Sequence, residues 1–208
     1  MIVAGKVEAY LESLRPRAEG VRAKMEAYGR KRDFPFIGPL VGPVLSLLSR
    51  SIGARRVFEC GSGFGYSALF FAEAVGEGGE VVLTDRSEEN LAKAREFLEE
   101  AGLAGRCRFL AGDALALLAT EPGLFDAILV DIDKAAYPAS LAVTVPRLRP
   151  GGLLLTDNLL WSGHVADGRF RDAATLAIRE YNRLLHAHPD LESVILPLRD
   201  GLGVSRRR

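Results

Sequence analysis

The chain has 208 residues, enough for one domain with a sizeable core, and its 27 basic residues balance 27 acidic ones. Zero formal charge excludes the global basic field of a nucleic-acid binder, and 48% hydrophobic with 26% charged residues is the balance of an ordinary globular protein. No run reaches the roughly 18 apolar residues of a membrane span, and MIVAGKVEAYLESLRP turns charged too soon for a signal peptide, so a cytoplasmic enzyme or binding protein is expected.

In chain order, residues 3–32 read as one or two amphipathic helices broken near Arg15-Pro16. The turn-like FPFIGP follows, then an apolar helix from about Leu40 to Ser51. From there β-type runs at Arg56–Cys60, Glu80–Thr84, Cys107–Ala111, Ala127–Val130 and Gly152–Thr156 alternate with helical patterns at Tyr66–Val75, Ser87–Ala101, Ala114–Ala119 and Ala135–Leu148. Ser87, three residues before Asn90, is positioned as a helix cap. A last helix, about Phe170–His186, leads to LESVILPL and GLGVSRR, which flank the hairpin signal Arg199-Asp200-Gly201. The expectation is an α/β fold: a doubly wound, mostly parallel, seven-stranded sheet with helices on both faces and an antiparallel C-terminal pair. Cys60 and Cys107 border apolar runs and read as buried thiols of a reducing compartment. The basic spots Arg30-Lys31-Arg32 and Arg206-Arg207-Arg208 read as a solvated helix end and a frayed terminus.

The loop FECGSGFGYS, residues 58–67, leaves the first strand and opens a helix. Glycines 61, 63 and 65 permit a tight turn and close approach to a ligand. The dinucleotide spacing G-x-G-x-x-G would need a third glycine at position 66, where Tyr66 stands. Glu59 would face a diphosphate unfavourably but suits an ammonium group. S-adenosylmethionine carries an ammonium, a carboxylate and a sulfonium and no phosphate, so it is the expected ligand; the alternative for the loop taken alone is a tight turn that holds none. Asp85, ending the second strand, is placed to accept from ribose hydroxyls. Asp113, ending the third, is placed to reach an adenine edge.

FDAILVDIDKAAY, residues 125–137, runs a buried strand into Asp131, Asp133 and Lys134. Asp157 and Asn158 end the next strand. With those strands adjacent, Asp131, Asp157 and Asn158 converge as a hard-oxygen site for Mg²⁺, or for Mn²⁺ or Ca²⁺. Three protein oxygens leave positions for a chelating substrate such as a catechol. Lys134, three residues past Asp131, is the candidate general base, its pKa expected to fall beside a cation. The alternative is a solvated loop with a local ion pair.

The segments VFECGSGFGYSAL, GDAL, FDAILVDIDKAAYPASL, LRPGGLLLTDNLLWSGHV and ILPLRDGLGV resemble the metal-dependent O-methyltransferases typified by catechol and caffeoyl-CoA O-methyltransferases, over residues 36–205. The resemblance implies a class I, Rossmann-like methyltransferase fold in one domain, 1–208, with residues 1–50 as helices covering the active site or forming a dimer surface. It implies methyl transfer to one oxygen of a vicinal hydroxyl pair on a small aromatic acceptor, and a homodimer. Asp131, Asp157 and Asn158 would hold the metal and Lys134 would be the base; Glu59, Gly61, Gly63, Tyr66, Ser67, Asp85, Asp113 and Asp131 would surround the cofactor. Asp85 departs from the family's usual glutamate, and FPFIGPLVG from its usual methionine or polar approach. The rivals are a tRNA hydroxyuridine methyltransferase of the same fold, a nicotinamide-dependent oxidoreductase, which Tyr66 and Glu59 argue against, and a non-catalytic cofactor-binding protein. Trp161 either walls an aromatic pocket or packs beneath its loop; Tyr137 reads as a packing or capping residue; His164 lies near the site; His186 and His188 read as an exposed helix end.

Overall fold

A computed structural model describes residues 5–208. The N-terminal region forms helices α1 (Gly5–Ser13), α2 (Gly20–Lys31) and α3 (Gly38–Ser51). The break falls at Arg15-Pro16 because proline lacks an amide N–H and disfavours helical backbone in the residue before it. Helix α3 carries proline at its first turn, where no N–H is needed.

The remainder alternates. Strands β1 (Arg56–Cys60), β2 (Glu80–Asp85), β3 (Cys107–Ala111), β4 (Phe125–Val130) and β5 (Leu148–Thr156) are joined by helices α4 (Tyr66–Val75), α5 (Glu88–Glu100), α6 (Ala114–Thr120) and α7 (Tyr137–Arg147). Helix α8 (Ala173–Ala187) leads to β6 (Leu191–Leu196) and β7 (Leu202–Arg207). The seven strands run in the order β3-β2-β1-β4-β5-β7-β6. The first five pair in parallel, and β7 lies antiparallel between β5 and β6.

The parallel strands are apolar on both faces because helices cover both. Val57, Leu83, Ala127 and Leu155 face a core shared with α3, α4 and α5, whereas Phe58, Val82, Ile128 and Leu154 face one shared with α6, α7 and α8. Both cores exclude water almost completely, so a truncation such as Leu129→Ala is worth roughly 2–5 kcal/mol.

Side-chain caps set several boundaries that periodicity left open. The Ser87 hydroxyl accepts from the Asn90 amide at 3.2 Å and starts α5. Asp172 accepts from the Thr175 amide at 2.9 Å, so α8 starts at Ala173 and not at Phe170. Asp133 caps a 3₁₀ turn, Lys134–Ala136, which delays α7 to Tyr137. Both cysteines are free thiols; Cys60 is fully buried and Cys107 partly so.

Candidate active site

Strand register builds the site. Cys60 pairs with Val130, and Val130 with Thr156, so the residues that follow, Gly61, Asp131 and Asp157, leave the sheet in step. The Asp131 amide donates to the Cys60 carbonyl at 2.9 Å, and the Asp157 amide to the Val130 carbonyl at 3.2 Å. Strand order reverses between β1 and β4, the position where open α/β sheets bind ligands beyond their carboxyl ends. Gly61 sits at φ +85°, and a Cβ there would stand 2.1 Å from the Asp131 carbonyl oxygen, so only glycine lets the two strand ends approach this closely. The loop is braced from β2: the Ser62 amide donates to the Thr84 carbonyl at 2.8 Å and the Gly63 amide to Asp85 Oδ2 at 2.9 Å.

These ends open into a cavity of about 660 Å³. Along the sheet edge its wall presents Asp85, then Gly61, Asp131, Asp157 and finally Asp200 from the β6–β7 hairpin. Gly63, Tyr66 and Ser67 add the start of α4, and Asn158 with Trp161 add the segment after β5. Phe34 and Phe36, from the turn before α3, add an aromatic wall. Phe36 packs edge-on against Tyr66 at 4.8 Å between centroids, and Phe34 against Phe64 at 5.2 Å, tying this turn to the glycine loop. Trp161 is thus part of the wall. Its segment is held by Arg179 of α8, which donates to the carbonyls of His164 at 2.8 Å and Asp167 at 2.6 Å. His164 stacks on Phe170 and does not line the cavity; His186 bonds the Asn182 carbonyl of its own helix.

The charge after β4 is organised. Lys134 Nζ donates to Asp131 Oδ1 at 2.9 Å and to the Tyr137 hydroxyl at 2.8 Å, and that hydroxyl donates to the Asp157 carbonyl at 3.1 Å. Tyr137 is fully buried and so acts as a fixed post for the lysine. The Asp157 carboxyl is buried; desolvation first, and the Asp131 charge second, raise its pKa well above the usual carboxylate range. Asn158 adopts φ +61°, a left-handed backbone that asparagine tolerates. Its amide nitrogen donates to Asp200 Oδ2 at 3.2 Å, leaving Oδ1 as the free acceptor.

Among the described residues no group of three or more His, Cys, Asp or Glu is arranged to hold a metal. Asp131, Asp157 and Asn158 offer two carboxylates and one amide oxygen at one cavity wall. That all-oxygen set fits a hard divalent cation, whose charge would offset the repulsion between the two carboxylates.

Two expected cofactor residues, Glu59 and Asp113, stand apart from this wall, and a third, Tyr66, lines it with its ring alone. Glu59 lies fully buried beneath the loop, both carboxylate oxygens lacking a hydrogen-bond partner. Burial pushes its pKa up to about 7, against a smaller opposing pull from the Ser67 and Ser62 hydroxyls. Asp113 caps α6 by accepting from the Ala116 amide at 3.0 Å and pairs with Arg86 at 2.7 Å. It lines a second cavity of about 280 Å³ that shares Gly61, Asp85 and Asp131 with the first. The Tyr66 ring lines the main cavity, but its hydroxyl turns away to donate to Glu26 Oε1 at 3.0 Å. Conversely, the sequence reading missed Arg199 and Asp200, which it took only as a hairpin turn, and the post formed by Tyr137. An Asx-Gly turn signals a hairpin and nothing about what its side chains reach.

The sequence profile of a family described as O-methyltransferase matches residues 27–208. A protein of Mycolicibacterium vanbaalenii carrying a provisional O-methyltransferase name is 33% identical over 175 residues, 82% of this chain and 76% of the relative. Among solved structures, an O-methyltransferase from Bacillus cereus in complex with SAH superposes with a TM-score of 0.87 at 27% identity, over 98% of this chain and 97% of that one. The O-methyltransferase TomG from Streptomyces achromogenes, in complex with SAM and involved in tomaymycin synthesis, gives 0.86 at 27% identity, over 97% and 96%. Sheet order, strand-end glycine loop and profile agree, and the chain belongs to the O-methyltransferase family.

Proposed function

We propose that the protein transfers the methyl group of S-adenosylmethionine to one oxygen of a vicinal hydroxyl pair on a small aromatic acceptor, with a divalent ion held by Asp131, Asp157 and Asn158. The observation that carries this reading is that those three residues and Lys134 share one cavity with the glycine loop and Asp85. Bound there, a divalent ion supplies the positive charge that favours the deprotonated form of a nearby hydroxyl. Lys134 is the group placed to take the acceptor's hydroxyl proton; Tyr137 keeps its nitrogen in place, and the Asp131 carboxylate stabilises the ammonium that results. The glycine loop admits the donor's backbone-facing end. Asp85 already accepts from the Gly63 and Ser87 amides and Asn90 Nδ2, and a carboxylate's roughly four lone-pair sites leave one for a ribose hydroxyl. Phe34, Phe36 and Trp161 supply apolar faces for the acceptor ring and exclude water from the reacting oxygen. Exposed Val7, Tyr10 and Leu14 of the N-terminal region support a homodimer surface, and among the described residues no helix is long and apolar enough to cross a membrane.

The test is metal removal. Enzyme stripped with EDTA should lose methyl transfer to a catechol and regain it with Mg²⁺ or Mn²⁺. Asp157→Ala should not be rescued by metal yet should still bind S-adenosylhomocysteine in calorimetry. Undiminished turnover by stripped enzyme, or a rescued Asp157→Ala, refutes the reading.

A further inference from the structure

Cations are scarce at the cavity. Among the described residues Asp33, Asp85, Asp131, Asp157 and Asp200 line it, against Lys134 and Arg199. Lys134 is engaged by Asp131 and Tyr137. Arg199 forms no ion pair among the described residues; its one hydrogen bond runs from Nη1 to the Phe36 carbonyl oxygen at 2.7 Å.

The guanidinium is nonetheless held in place. It lies against Gly38, where a Cβ would come within 2.6 Å of Nη1 and 2.8 Å of Cζ. Arg199 itself takes a left-handed backbone, φ +48°, at the tip of the β6–β7 hairpin. That tip is joined to the segment carrying Asn158 and Trp161. The Leu159 amide donates to the Gly201 carbonyl at 2.9 Å, the Leu160 amide to the Asp200 carbonyl at 2.8 Å, and Asn158 to the Asp200 carboxylate at 3.2 Å. Arg199 therefore stands at the Asn158 end of the cavity, across β1 and β4 from Asp85.

We propose that Arg199 binds a carboxylate on the methyl acceptor, making the preferred substrate an anionic catechol and not a neutral one. This rests on the function proposed above. A guanidinium has five N–H donors in a planar fork, and one is taken by Phe36. The rest match a carboxylate in the two-point manner that a lysine or amide cannot reproduce. With Asp131 and Asp157 offset by the divalent ion and Lys134, Arg199 is the cavity-lining cation that no carboxylate pairs among the described residues, and so the one placed to meet an acceptor's negative charge. The aromatic walls hold the ring while this residue selects its substituent.

The experiment compares 3,4-dihydroxybenzoate with its neutral methyl ester as acceptors for the wild type, Arg199→Gln and Arg199→Lys, with saturating donor and Mg²⁺. The readout is the ratio of kcat/KM for acid over ester, which cancels any general loss of folding or activity. Arg199→Gln, whose amide can still donate, should lower the ratio about 10- to 100-fold, the worth of a charge-assisted pair, and Arg199→Lys should recover part of it. An unchanged ratio overturns the proposal and reduces Arg199 to a strap on the Phe36 turn. So does weaker S-adenosylhomocysteine binding in Arg199→Gln with no change in the ratio, because the carboxylate recognised is then the donor's own. A wild type that methylates both compounds without preference overturns the proposal and leaves the function standing; one that methylates neither overturns both.

Discussion

Gly61→Ala probes the contact on which the site is built. The left-handed φ of +85° costs an L-residue about 1–2 kcal/mol. A new Cβ 2.1 Å from the Asp131 carbonyl oxygen meets backbone that is itself bonded into the sheet and cannot swing aside, which adds about 1–3 kcal/mol of overpacking. The sum, about 2–5 kcal/mol, corresponds to a fall in Tm of roughly 5–20 °C for a chain of this size. Gly102→Ala is the control, because Gly102 shares a positive φ of +69° but has nothing within 4 Å of its missing Cβ, so it loses only the conformational part. Urea and thermal unfolding of the two ligand-free variants, followed by circular dichroism, separate the terms. If Gly61→Ala is no less stable than Gly102→Ala, β1 and β4 do not approach as described, and the convergence of Asp131 with the glycine loop fails with them.

Lys134→Ala should lower kcat by about 10²–10⁴-fold while S-adenosylhomocysteine still binds; a loss below about 10-fold in single-turnover assays removes the general-base role. Glu59 should make the ligand-free protein less stable as pH rises. A carboxyl with an ordinary value of 4.5 raised to about 7 by burial takes up a proton on folding, so its contribution is complete below about 4.5 and is lost as pH climbs through 7. Glu59→Gln should therefore gain on the wild type by about 2.5 kcal/mol between pH 5 and pH 8 in urea titrations; parallel stability profiles would show that Glu59 is not held protonated.

Much of this architecture was legible from local pattern. Strand and helix reveal themselves over a few residues, through apolar runs, caps and glycine punctuation, so β1, β3 and α4 were readable to the residue. The order of Gly61, Asp85, Asp131 and Asp157 at successive strand ends pointed to a shared cavity edge. Boundaries moved where a side chain intervened, as at Asp172 and Asp133.

By itself, the sequence determined the parallel α/β class, the glycine loop and the identity of the acidic residues, because propensity, periodicity and spacing are local properties. Only the tertiary structure decided which of them meet. The pairing of Cys60 with Val130, and of Val130 with Thr156, brings Asp131 and Asp157 together, burial seals Glu59 beneath the loop, and helix capping engages Asp113. The hairpin carries Arg199 to Phe36, 163 positions earlier in the chain. No local pattern encodes such a contact, which follows from strand order and the packing of β7 between β5 and β6.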